Sequence, residues 1–160
     1  MIVIGCDPGK SGALAVLDES RRLIEIADAP LTQVGKRFEY DLGRMALYLE
    51  PYRDCDALLA IEQVGSHKGE GPQGAFTFGA GFGIWLGIAA AFRLRIERIT
   101  PQRWKKAMLE GLPKEKGSSI QRAKELFPDM TVRLTRKKDH GRADALLIAE
   151  YARRAFLGAA

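Results

Sequence analysis

Asparagine is absent from this 160-residue chain, cysteine and histidine occur only twice each, and aromatics make up 8%. Two cysteines, Cys6 and Cys55, exclude a disulfide framework and a cysteine-rich zinc module. Internal repeats and low-complexity tracts are missing, and no composition shift marks a boundary, so a single domain over 1–160 is expected. The opening MIVIGCDPGK has no basic segment leading into a long apolar stretch. It therefore does not read as a signal peptide, and a reduced, cytoplasmic protein is expected. What is present is ordinary globular material, 46% hydrophobic and 28% charged. Lysine and arginine number 25 against 20 acids, a net charge of +5 that suits a polyanionic partner without specifying one.

Only one apolar run is long. Gly74 to Phe92 is 19 residues without a charge, enough to span a bilayer. Its richness in glycine and alanine weakens that reading. Gly79, Gly83 and Gly87 recur every four residues, a small-residue seam that lets backbones approach closely. A buried helix, pressed onto a sheet or onto its copy in a dimer, is the preferred reading, with no membrane.

Short β-branched runs predict strands at Met1–Cys6, Ala13–Leu17 and Leu23–Ala27, joined closely enough for an antiparallel meander. Pro30 to Phe38 reads as a loop. Leu42, Met45, Ala46 and Leu49 have helical spacing, and Pro51 ends the pattern. A buried strand at Ala57–Glu62 and a glycine-rich loop from Gly65 precede the long apolar helix. A strand follows at Leu94–Ile99, then a helix opened by Thr100-Pro101 and running through Leu109. Ser118 or Ser119 is placed to cap a helix ending near Phe127. Thr131–Leu134 reads as a short strand, 136–141 as a polar loop, and Arg142–Phe156 as the closing helix. The expected class is α/β: a mixed five-stranded sheet, antiparallel meander plus parallel strands, flanked by helices.

Chemistry concentrates where apolar elements end in acids. Asp7 and Glu62 each terminate an otherwise apolar strand, and ligand sites of such sheets lie outside the carboxyl ends of strands. Asp144 heads the stripe Asp144, Ile148, Tyr151, Ala155 of the closing helix. A carboxylate on an inward stripe costs several kcal/mol unless paired or coordinated. His140 lies one helical turn earlier if the helix reaches it, and Asp139 is the weaker neighbour. Three acids and a histidine form an oxygen-rich set suited to Mg²⁺ or Mn²⁺ rather than zinc. A pair of such ions about 4 Å apart serves phosphodiester hydrolysis. Lys105, Lys106, Lys114, Lys116, Arg136, Lys137 and Lys138 flank the acid-bearing helix, as phosphate contacts or as a solvated face.

Asp7-Pro8-Gly9-Lys10-Ser11-Gly12-Ala13, Ile61-Glu62-Gln63-Val64 and 140–149 (HGRADALLIA) together resemble the RuvC-like Holliday junction resolvases of the RNase H-like superfamily, phage-type members above all. The likeness runs in order over nearly the whole chain. It implies an RNase H-like fold and a homodimer on a four-way DNA junction. Two symmetric nicks would leave 5′-phosphate and 3′-hydroxyl ends, with two Mg²⁺ or Mn²⁺ ions per site and no small-molecule cofactor. It implies Asp7 as the ligand shared by both ions, Glu62 and Asp144 as ligands of one each, and His140 as the fourth member. Bacterial members carry an acid or histidine three residues before the final Asp; here Gly141 stands there, so His140 or Asp139 would take the role. The family's assisting lysine matches Lys105, Lys106, Lys114 or Lys116. Phe76 or Phe78 would be the wedge stacking on an unpaired base, unless both are core aromatics. The cell would be bacterial, or a phage-infected host. Against this stand a sugar-kinase or actin-like ATPase, for which the chain is short, a junction-binding module that does not cut, and a related nuclease acting on other branched DNA or RNA.

Overall fold

The computed structural model describes residues 1–63, 65, 71–115 and 117–158. β1 (Ile2–Asp7), β2 (Ala13–Leu17) and β3 (Leu23–Asp28) form the antiparallel meander. A hairpin of β4 (Leu31–Val34) and β5 (Arg37–Tyr40) follows, then α1 (Leu42–Leu49) and a 3₁₀ turn at Glu50–Tyr52 that takes in Pro51. β6 (Ala57–Glu62) pairs parallel with β1, and β7 (Arg95–Ile99) pairs parallel with β6. Between them lies α2 (Pro72–Ala91). α3 (Pro101–Met108), α4 (Gly117–Leu126) and α5 (His140–Leu157) complete the chain, with 3₁₀ turns at Pro128–Arg133 and Lys137–Asp139. The sheet has five strands in the order β3-β2-β1-β6-β7, as expected for a mixed α/β sheet.

Both faces of the sheet are covered, which is why its central strands read as unbroken apolar runs. Val3, Ala15, Leu58 and Ala60 point to the face packed by α5, with Trp104, Leu146 and Ala149. Ile4, Cys6, Leu59 and Ile61 point to the other, against Met45, Leu49, Trp85 and Ala89. Within α5, Glu150 is fully buried and held by Arg153 at 2.8 Å and Arg154 at 2.7 Å.

Five expectations change. The segment Pro30–Phe38 is not a loop but most of the β4–β5 hairpin; Gly35 (φ 60°) opens its two-residue turn, and its exposed side chains hid the strand periodicity. Thr131–Leu134 is not a strand: Thr131–Arg133 belong to a 3₁₀ turn that starts at Pro128, and the Thr131 hydroxyl bonds the Pro128 carbonyl at 2.7 Å. Ser118 and Ser119 lie inside α4 rather than at its cap. The long apolar helix is not wholly buried. α2 meets the length and hydropathy of a membrane span, yet only 17% of that window is buried. Gly81, Trp85 and Ala89 make its buried stripe, while the Gly79–Gly83–Gly87 seam faces open space on the opposite side. The stripe headed by Asp144 also leaves the core, since Ala155 is exposed.

Candidate active site

The parallel register pairs Cys6 with Ile61, so the next residues along, Asp7 and Glu62, stand side by side at the carboxyl ends of β1 and β6. Asp7 is 9% exposed, and its Oδ1 accepts a hydrogen bond from the Gly9 N–H at 3.1 Å. The tight turn after β1 therefore holds the carboxylate in place. Burial pushes the Asp7 carboxyl up to about 6, and nearby Asp144 adds to the rise; the Gly9 N–H, His140 and Lys105 oppose it.

Glu62 is oriented by a neighbour that the sequence patterning did not flag. The indole Nε1 of Trp104, a fully buried residue of α3, donates to Glu62 Oε1 at 2.9 Å. No local pattern links it to Glu62, which lies 42 residues earlier.

α5 begins at His140, two residues earlier than expected, so His140 and Asp144 are one turn apart on one face. Both line a cleft of about 1080 Å³ with Lys105, Lys106, Lys114 and Ser119. The His140 Nδ1 lies 3.2 Å from the Lys137 carbonyl oxygen. With the proton on Nδ1 that contact is a hydrogen bond, and Nε2 keeps its lone pair for an ion or a water. Burial lifts the Asp144 carboxyl to about 6; the nearby Ser119 side chain, Lys105 and His140 pull the other way, while Glu62 raises it further. Ser119 is thus a site residue that the sequence reading had assigned to helix capping.

Asp139 is committed elsewhere. It is buried, and Arg136 binds it through the backbone N–H at 2.8 Å and the guanidinium at 2.7 Å. Those bonds hold its carboxyl down at about 2. Of the two residues open for the fourth place, His140 lines the cleft and Asp139 is spent on Arg136. Lys137 and Lys138 are exposed just before α5 and do not line the cleft. Lys116 lies outside the described residues. Phe76 is no core aromatic: it is 74% exposed near the start of α2, whereas Phe78 is half-buried over Gly9.

Among the described residues, no three His, Cys, Asp or Glu side chains converge closely enough to hold one ion. The donor set still suits a hard cation. Mg²⁺ keeps several waters and takes only one or two carboxylates from a protein. The Asp144 Oδ1 is buried with no hydrogen-bond partner, an orphaned acceptor of the kind a cation satisfies.

No family model matches the chain. Over 84 residues it is 38% identical to the chloroplastic Holliday junction resolvase MOC1 of Chlamydomonas reinhardtii; the match covers 52% of this chain and 10% of that protein. Thermus thermophilus RuvC in complex with a Holliday junction substrate superposes with a TM-score of 0.66 at 21% identity, over 99% of this chain and 97% of that one. Thermus thermophilus RuvC by itself gives 0.63 at 23% identity, over 99% and 98%. In fold, the chain is similar to Thermus thermophilus RuvC over nearly its whole length.

Proposed function

We propose that this chain is a metal-dependent endodeoxyribonuclease that resolves four-way DNA junctions by paired nicks. The observation that carries the reading is the gathering of Asp7, Glu62, His140 and Asp144 at the carboxyl ends of β1 and β6, beside a lysine-lined cleft. The likeness to a Holliday junction resolvase and to junction-bound RuvC supports the substrate.

Asp7, between Glu62 and Asp144, would hold two Mg²⁺ or Mn²⁺ ions jointly with them. Bound there, such ions supply a polarised phosphate and an acidified water. The chain's own groups do the rest. The Gly9 N–H and the Trp104 indole fix two of the carboxylates. His140 Nε2 positions the attacking water and takes up its proton. The water oxygen bonds to phosphorus and the P–O3′ bond breaks, leaving a 5′-phosphate and a 3′-hydroxyl once the leaving oxygen gains a proton. Lys105, which faces both Asp7 and Asp144, steadies the developing phosphate charge, while Lys106, Lys114, Lys116, Lys137 and Lys138 neutralise the flanking backbone. Phe76, exposed, is the wedge for an unpaired base.

Two nicks need two sites. We assign the open face of α2 to a second copy of the chain: Gly79, Gly83 and Gly87 leave space for a close helix approach. The buried Gly81–Trp85–Ala89 stripe is already packed on the sheet, which argues for a dimer contact over a span through lipid. The working compartment is the cytoplasm of a bacterium or phage-infected host, unlike that of the chloroplastic relative.

The test is incubation of the protein with labelled four-way junction, linear duplex and RNA–DNA hybrid in Mg²⁺, Mn²⁺ or EDTA, beside Asp7→Asn. Paired nicks on opposite junction strands, lost in EDTA and in Asp7→Asn while binding persists, are expected. Binding without cutting, or preference for hybrid or flaps, overturns the reading.

A further inference from the structure

A second cleft, of about 430 Å³, lies away from the carboxylates, between the turn joining β2 to β3 and the 3₁₀ turn after α4. Arg21, Arg22 and Arg133 line it with Ile24 and Phe127; its one acid is Asp129. Arg22 is paired with Asp18 at 3.0 Å. Among the described residues no carboxylate lies within ion-pair distance of Arg21 or Arg133, so the cleft presents two uncompensated guanidinium groups.

Arg21 is held there at a backbone cost. Its φ of 69° is in the left-handed region, where glycine would sit without strain. The chain has a second left-handed arginine, Arg93, but that one is paired with Asp54 at 3.0 Å. The Arg21 guanidinium instead lies over the Phe127 ring at 5.5 Å. A guanidinium held beside a ring keeps its N–H donors for a further partner, and a phosphate is one that it can bind through two oxygens.

The cleft shares no lining residue with the active-site cleft, but one contact reaches towards it. The Arg133 carbonyl oxygen lies 3.5 Å from Arg142 Nη1, and Arg142, two residues after His140, is tied to Asp28 at the end of β3 by bonds of 2.6 and 2.7 Å. β2 runs antiparallel to β1 with Leu17 opposite Val3, so the turn carrying Arg21 lies at the far end of the sheet from Asp7, and a duplex arm would reach it along the β3 edge.

We infer that this cleft is a second nucleic-acid site, in which Arg21 and Arg133 bind the phosphodiester backbone of a junction arm outside the active site. The inference rests on the reading of the chain as a junction nuclease. The two arginines act as backbone contacts, which set affinity and its salt dependence without reading sequence.

Binding of a fluorescent four-way junction is measured by anisotropy over a KCl series in Ca²⁺, for wild type, Arg21→Gly, Arg133→Ala and the double variant, with melting temperatures alongside. Each single change is expected to weaken binding ~3–10-fold and to make the slope of log K against log[KCl] shallower by about 0.9. Arg21→Gly is expected to keep or raise the melting temperature, since glycine takes the left-handed turn freely; a structural role would lower it. Unchanged affinity and slope in both single variants overturn the inference. So does Arg21-dependent binding of a fluorescein-labelled Asp/Leu peptide with junction affinity unaffected, which makes the cleft a peptide-docking site. Failure of the wild type to bind the junction at all overturns the proposed function itself, a different result from loss of the arginine effect.

Discussion

Gly141 packs against Ser11 so closely that a β-carbon on it would lie 2.0 Å from the Ser11 carbonyl oxygen and 2.9 Å from the Gly12 α-carbon. The first turn of α5 thus rests directly on the loop that follows Asp7, and that contact brings His140 and Asp144 towards Asp7. Position 141, three residues before Asp144, has no room for a side chain. Gly141→Ala should cost about 1–3 kcal/mol through overpacking and lower junction nicking by displacing His140 and Asp144. Gly141→Asp, which adds a larger, charged side chain at the same point, should be worse rather than better. Thermal melts and nicking rates on the two variants check this; a more active Gly141→Asp protein would contradict it.

Asp7 and Asp144 make the metal-free protein pH-sensitive in a defined direction. Both carboxyls are raised from 3.8 to about 6, chiefly by burial. The fold favours their protonated forms, so this stabilisation is complete below pH 3.8 and is lost as pH rises through 6. In EDTA, the melting temperature should fall across that window. Asp7→Asn should remove its share, on the order of 2–3 kcal/mol, and be more stable than wild type at neutral pH while failing to cut. Added Mg²⁺ should raise the wild-type melting temperature and leave Asp7→Asn less affected. Identical melting profiles for the two proteins in EDTA would count against it.

Two glycines of α2 should respond in opposite ways to alanine. At Gly81 a β-carbon would lie 2.4 Å from both the Pro8 carbonyl oxygen and the Tyr40 hydroxyl, which are themselves hydrogen-bonded at 3.1 Å. Gly81→Ala should therefore destabilise the fold and loosen the loop carrying Asp7. Gly83 meets nothing within 4 Å and is exposed. Gly83→Ala should stabilise the monomer by up to about 1 kcal/mol and weaken the dimer assigned to that face. Denaturant titration and light scattering separate these effects.

Glu150 is fully buried between Arg153 and Arg154. Glu150→Ala removes the buried carboxylate that faces Arg153, which still donates to the Glu19 carbonyl oxygen at 3.3 Å, and should cost about 3–5 kcal/mol. Urea unfolding measures it; a loss below 1 kcal/mol would mean that water compensates the arginines.

The fold was readable where burial leaves a period or a run in the sequence. β1, β2 and β6 showed as unbroken apolar runs because both sheet faces are covered, and α1 showed as a helical stripe ending at Pro51. The β4–β5 hairpin left no such trace, because it stands apart from the main sheet with exposed side chains. The apolar run of α2 revealed a helix but not which side faces the sheet: the conspicuous glycine seam points outward, and Gly81, Trp85 and Ala89 point in.

At the candidate site, residue types and their places at element ends drew attention to Asp7, Glu62, His140 and Asp144, although an acid at a strand or helix end also serves as a turn-former or cap. Their partners were not legible. Trp104 lies 42 residues from the Glu62 it orients, Ser119 had looked like a helix cap, and Asp139 proved to be held by Arg136. Local patterning reports which elements form and which residues are out of character in them. Which side chain completes another's hydrogen bonds depends on distances between elements far apart in the chain, and only packing sets those.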